Sequence, residues 1–412
     1  MMLIILKRRL IMLSKILVVG FDNDTSVDII HLLRDNKVYA EIYYDQSEDD
    51  NIVGLVIHPE NNDNIRDWNV VKIIDKPENL NEKTMNRFID DNHIQRNWSI
   101  KKYLEHLRID IKDKVKDDHV LLALSGGVDS SVVATLLREI IGDQLHCMFV
   151  DHGFMRKNEP KEIEEEFIKR QKINLLMIDA KDQFYNKLKG VSDPETKRMI
   201  IGNEFIQTFI DNIETNQQFK YLAQGTIYPD IIESMKRDGQ FTKSHHNVGG
   251  LPEKLGFDLL EPMANLFKSE VRELGLLLGL KDELVFRQPF PGPGIAIRII
   301  GEITKDKIKI VQESDYILRE EIKNAYLDRD IWQYFTVLTN IRSVGKNLGE
   351  RTYDYTVGIR AVNTMDGVTA LSAVIPFELL HKISARITNE VKGVNRVVYD
   401  ITNKPPATIE WE

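Results

Sequence analysis

The chemistry-bearing residues with the clearest spacing are Ser125-Gly126-Gly127-Val128-Asp129-Ser130-Ser131. Two adjacent glycines let backbone N–H groups turn toward a bound anion without interference from a Cβ. The hydroxyls of Ser125, Ser130 and Ser131 add donors, and Asp129 adds a carboxylate. A helix starting here would contribute the positive end of its dipole. A pyrophosphate group has the right charge for such a pocket. No Gly-Lys-Ser/Thr follows at the Walker spacing, so a P-loop is excluded. Two glycines alone would mark only a turn; the hydroxyls and the strand before them make the anion site the stronger reading.

That segment needs a strand before it and a helix after it, and the sequence supplies both. Val120 to Leu124 reads as a buried strand. Val132, Val133, Leu136, Leu137, Ile140 and Ile141 follow at the spacing of one helix face. Leu145 to Val150 is the next strand, so the order implies a parallel βαβ unit with a right-handed crossover. Alternation continues with a helix after Pro160, a strand at Leu175 to Ile178, a helix after Pro194 and a strand at Tyr221 to Ala223. The expected class is α/β, an open doubly wound parallel sheet. Upstream, Ile16 to Val19, Ser26 to Asp35, Val38 to Tyr44 and Ile52 to Ile57 read as a small α/β unit. Residues 61–97 are polar and weakly patterned, and read as a connector. Residues 227–257 read as a long mobile loop. The proline-rich run from Arg287 to Gly294 marks the passage into a C-terminal unit. The expected domains are 1–97, 98–288 and 289–412.

Composition excludes several classes. The chain has 412 residues and a formal net charge of −9, which gives no basic face for nucleic acid. Its one cysteine, Cys147, allows no intrachain disulfide and no cysteine-ligated zinc site. A lone thiol fits a reducing, cytoplasmic setting. The apolar start around Lys7-Arg8-Arg9 is too short for a signal core or membrane span. No membrane partner is expected, and residues 1–12 read as lying outside the folded part.

Several further motifs are similar to those of one family. They are VDHGFMRKNE from Val150, DPETKRMIIG from Asp193, AQGTIYPDIIES from Ala223, KSHHNVGGLP from Lys243, RQPFPGPGIAIRIIGEIT from Arg287, RTYDYTVGIRAV from Arg351 and NRVVYDITNKPPATIEWE from Asn395. With SGGVDS, the pyrophosphate loop of the N-type ATP pyrophosphatases, they resemble the GMP synthetases from about residue 98 onward. The resemblance implies an adenine nucleotide alpha hydrolase-like fold and a C-terminal α/β dimerisation domain. It implies that ATP adenylates the C2 oxygen of xanthosine 5′-monophosphate, releasing pyrophosphate, and that ammonia then displaces AMP to give GMP. Ser125, Gly126, Gly127, Val128, Asp129 and Ser130 would hold ATP phosphates, and Gly225 and Thr226 the adenosine side. Asp129, Asp230 and Glu233 would place Mg²⁺. Lys243, His245 and His246 would close over the phosphates as a lid, though paired histidines also occur in plain solvated loops. Lys404, Ile409 and Glu410 would bind the xanthylate, with Arg198 and Arg287 as added contacts. A homodimer is implied.

The resemblance weakens before Trp98. Residues 15–57 are similar to the first strands and helix of a glutamine amidotransferase domain, in shortened form. Such domains use a cysteine nucleophile. Cys147 instead lies on a buried strand of the synthetase core and reads as a packing residue. Ammonia would come from solution or from a separate glutaminase subunit. Alternatives are another aminating or thiolating ATP pyrophosphatase, or a catalytically idle nucleotide-binding regulator.

Overall fold

A computed structural model describes residues 13–43, 51–64, 69–213, 219–234, 256–347, 349–364 and 368–412. Three sheets organise these residues. The first contains β1 (Lys15–Val19), β2 (Tyr39–Ile42), β3 (Ile52–Ile57) and β4 (Val71–Ile74), all parallel in the order β2-β1-β3-β4. Helices α1 (Asn23–Asp35) and α2 (Glu82–Asp91) bury Ile29, Ile30, Leu33, Met85, Phe88 and Ile89 in its core. Asp22 caps α1 by accepting from the Thr25 amide at 2.9 Å. The polar stretch expected to be a connector therefore contains a strand and a helix. Their signal is faint because β4 alternates half-buried with exposed residues and α2 offers only one short apolar stripe.

Helix α3 (Ile100–Val115) leads into the central sheet. Its strands are β5 (His119–Ala123), β6 (Leu145–Asp151), β7 (Asn174–Asp179), β8 (Phe219–Ala223) and β9 (Asp258–Leu260). All neighbours are parallel, in the order β7-β6-β5-β8-β9. Helix α4 (Val128–Ile141) follows β5, and α5 (Pro194–Asp211) precedes β8. Alternate residues of β5 face opposite sides, as a strand requires. Val120 and Leu122 enter the core shared with α3 and α4, whereas Leu121 packs with Met148, Leu222 and Phe209 of α5. Both faces are covered, which makes this a doubly wound α/β sheet. The chain leaves β5 in one direction and β8 lies on its other side. The crevice beyond the carboxyl ends of β5 and β8 is thus the switch point where such sheets bind ligands. Of the long loop expected at 227–257, residues 228–234 form α6 (Tyr228–Ser234); residues 235–255 lie outside the described residues.

Helix α7 (Lys268–Leu277) packs on α3 and α4. The third sheet joins the long strands β10 (Gln333–Asn347) and β11 (Glu350–Asn363) in antiparallel pairing. It adds β12 (Leu371–Ser372) antiparallel and β13 (Val394–Asp400) parallel to β11. Helices α8 (Lys305–Asn324) and α9 (Phe377–Glu390) pack on it and on each other.

Candidate functional site

The turn after β5 leads into a helix N-terminus that no side chain caps. Gly126 has φ +78°, and a Cβ there would lie 2.8 Å from Ile163 Cδ1. Gly127 is the N-cap of α4 and no side chain caps that end. The first-turn N–H groups of the helix therefore keep their donor capacity. Ser125 Oγ accepts from the Gly127 amide at 3.3 Å and lies 3.0 Å from Ser130 Oγ. The Ser131 hydroxyl donates back to Gly127 O at 2.7 Å. At the end of β8, Gly225 runs so close that a Cβ would sit 3.1 Å from Asp129 and the Ser130 amide nitrogen. Thr226 donates to Glu261 Oε1 at 2.5 Å.

Asp129 does not stand alone. Lys268, the first residue of α7, donates to both of its oxygens at 2.7 and 2.8 Å. Asp230 caps the turn before α6, accepting from the Ile227 amide at 2.9 Å, and Glu233 is exposed on α6. Among the described residues no group of three or more His, Cys, Asp or Glu side chains is placed to hold a metal ion. Magnesium needs no such cage, because it takes one or two carboxylates and completes its shell with phosphates and water. Asp129 lines the cleft, with both of its oxygens engaged by Lys268.

The turn opens into a cleft of about 740 Å³. It brings together Ser125, Gly127, Val128 and Asp129 with Arg198, Arg287 and Lys268. One wall is the proline-rich run from Gln288 to Pro293, and α5 supplies Ile201, Phe205 and Ile206 opposite. Three wall residues hold buried nitrogens without a hydrogen-bond partner among the described residues: Arg272 Nε, Gln288 Nε2 and Arg198 Nε, the last lying 3.4 Å from the Glu195 carboxylate. Gln224 Nε2, at the end of β8, is a fourth. Unpartnered buried donors are costly, and a ligand rich in acceptors would satisfy them. Arg287 has a defined internal task. It donates to Gly126 O at 2.7 Å and pairs with buried Glu159, bracing the phosphate turn from below. His152, also in the wall, is neutral: burial pulls its imidazole down to about 4, and Nδ1 accepts from the Phe154 amide at 3.0 Å.

Lys404, Ile409 and Glu410 are not part of this wall. They lie on the tail beyond β13. Fully buried Arg360 holds that tail, donating to Thr408 O at 2.9 Å and Ile409 O at 3.4 Å. Both Glu410 oxygens accept from buried Arg298 at 2.8 and 3.0 Å, and Gln333 adds a bond of 3.0 Å. The Arg298 guanidinium stacks 5.2 Å from the ring of Phe290, which does line the cleft. Lys404 pairs backbone to backbone with Ala370 at 2.8 and 3.0 Å. Arg198 reaches from the cleft to the tail, donating to Glu412 O at 2.5 Å. Lys243, His245 and His246 lie outside the described residues.

A glutamine-hydrolysing GMP synthase of Bacillus mycoides is 53% identical over 366 residues, which is 89% of this chain and 69% of that one. The chain belongs to the GMP synthase family. Family members from Bacillus licheniformis and Bacillus subtilis are each 60% identical over 315 residues, 76% of this chain. The chain spans about 61% of the length of those relatives. The family described as GMP synthase C terminal domain matches residues 320–411, and that described as NAD synthase matches residues 99–292. The second match contains the phosphate turn, Lys268 and Arg287.

Proposed function

We propose that the chain aminates xanthosine 5′-monophosphate to GMP, consuming ATP and ammonia and releasing AMP and pyrophosphate. The observation that carries this reading is the cleft at the sheet switch point. There an uncapped helix N-terminus, Asp129 with Lys268, and unpartnered buried donors meet beside a tail of the family's pattern.

The reaction asks for two things. The C2 oxygen of the purine attacks the α-phosphorus of ATP, and the bond to pyrophosphate breaks. Ammonia then adds at C2, and AMP leaves with the former oxygen. The first-turn amides of α4, with Ser125 and Ser130, would bind the departing pyrophosphate, whose charge grows as the bond breaks. Lys268 would add positive charge beside it. Gly225 and Thr226 would carry the adenosine side. Mg²⁺, held by Asp129 with Asp230 and Glu233 as further candidates, would neutralise phosphate charge. Arg198, Lys404, Ile409 and Glu410 would orient the xanthylate, with Arg287 acting mainly through the turn it braces. Lys243, His245 and His246 would cover the phosphates.

We divide the chain into units 1–97, 98–288 and 289–412, in keeping with its three sheets. The nitrogen would arrive as ammonia, free or from a separate glutaminase subunit. The single thiol, Cys147, is buried, and burial pushes it far above the reactive range. A homodimer through the C-terminal unit is supported by exposed apolar side chains there, among them Ile341, Val344, Tyr353, Val374 and Phe377. Among the described residues no helix is long and apolar enough to cross a membrane. We place the reaction in the cytoplasm.

The test is GMP formation from xanthylate, ATP and Mg²⁺ with either ammonium or glutamine. The expected result is GMP with ammonium only. GMP from glutamine on the purified chain would contradict the reading of Cys147. Absence of GMP and of xanthylate-dependent pyrophosphate release with ammonium would overturn the proposed activity.

A further inference from the structure

Lys197 and Arg198 are neighbours on the first turns of α5, yet they do different work. Arg198 lines the cleft. Lys197 is fully buried, and its ammonium donates to Ile299 O at 2.7 Å and to the Glu412 carboxylate. The Glu412 side chain is only 7% exposed, and its second oxygen accepts from the Gly301 amide at 3.2 Å. The Glu412 backbone oxygen accepts from Arg198 Nη2. One residue thus ties together α5, the segment 299–301 and the tail that carries Lys404 and Glu410.

This is an expensive way to gain stability. A buried ion pair loses most of its attraction to desolvation, and a packed apolar pair of similar volume commonly does as well or better. What the pair does supply is register. Its carboxylate fixes the tail against the fully buried side of α5, and its backbone oxygen takes one of the Arg198 donors. The remaining edge of that guanidinium is thereby aimed relative to the tail.

We propose that Glu412, acting through Lys197, is a positioning residue for the monophosphate substrate. It sets the distance between Arg198 in the cleft wall and the tail residues Lys404 and Glu410, so that both sides grip one molecule. This deepens the amination reading and rests on it. Glu412 touches no reacting atom; its effect belongs in the affinity for xanthylate rather than for ATP.

The experiment measures KM for xanthylate, kcat, ATP affinity by calorimetry, and the melting temperature for wild type, E412Q and the double variant K197M/E412Q. E412Q is expected to raise KM for xanthylate roughly tenfold or more, the loss of a hydrogen bond between charged groups, with ATP affinity unchanged. The double variant removes the uncompensated buried ammonium, so its melting temperature should return toward wild type while its KM stays high. An unchanged KM in E412Q, or a double variant restored in both melting and KM, overturns the proposal and assigns the pair a purely structural role. Wild-type protein that makes no GMP with ammonium is a separate result. It removes the amination reading itself and the positioning role with it.

Discussion

Lys268 occupies a helix position that favours an acid. A cation in the first turn of α7 opposes the helix dipole, so the residue is there for its neighbour, Asp129. The two side chains are about a third exposed, and such a pair contributes little to stability. Lys268→Met should therefore leave the melting temperature almost unchanged. It should lower xanthylate-dependent pyrophosphate release by about a hundredfold, the scale of losing one preorganised charge at a reacting group. Full turnover in that variant would remove Lys268 from the phosphate site. His152 offers a different readout. Its native imidazole titrates near 4, whereas an unfolded histidine titrates near 6.5. Between those values the unfolded chain binds a proton that the native one refuses, so stability falls as pH drops from about 6.5 to about 4. The whole span is worth about 3 kcal/mol, and His152→Asn should flatten that part of the curve in urea midpoints at pH 7 and pH 5. The tight turn after β5 was legible because the glycines that shape it stand together in the sequence. Lys268 was not, because its partner lies 139 residues away and only its awkward place on a helix marks it. Arg287 read as a substrate contact, while its observed bonds go to Gly126 O and Glu159.

At the scale of elements, the site depends on how closely two strand ends approach. A methyl group on Gly225 would crowd Asp129 and Ser130 at 3.1 Å, a distance that requires the neighbours to give by a few tenths of an ångström. Gly225→Ala should push the end of β8 away from α4 and raise the KM for ATP, with a smaller effect on the KM for xanthylate. An equal rise in both would place the adenosine side elsewhere. Gly126→Ala adds a left-handed strain of roughly 1–2 kcal/mol to a contact with Ile163, and should lower both stability and nucleotide affinity. The elements carrying these glycines were readable because β5, β6 and β8 are short apolar runs and α4 repeats its apolar residues at helical spacing. β9 escaped notice. Three residues are too few for a period, and its place is set by pairing with β8 rather than by its own pattern.

The molecule as a whole is held together by contacts that run between its units. Arg34 of α1 is buried and surrounded by the rings of Tyr39, Trp98, Tyr228 and Phe267 at 5.0–5.7 Å. Its Nη1 donates to Glu270 of α7 at 2.6 Å, and Glu270 also caps the start of that helix through the Phe267 amide. Arg34→Ala should destabilise the chain by about 3–5 kcal/mol, because it strands a buried carboxylate; thermal unfolding checks this. For the C-terminal unit, Val374 is 90% exposed. Val374→Asp should shift the sedimentation of the chain toward monomer if that face joins two copies, and leave it unchanged otherwise. The contacts of Arg34 also bear on how the chain can be handled. Anyone seeking a minimal fragment would cut just before Trp98, next to the start of the NAD synthase match at residue 99. That cut would uncover Tyr228 and Phe267, deprive the Tyr228 hydroxyl of its bond to the Ile42 amide at 2.7 Å, and remove the cation facing Glu270. The trimmed protein would present a sticky aromatic surface beside the helix that carries Lys268. Successful trimming would need compensating polar substitutions at 228 and 267, and a neutral residue at 270.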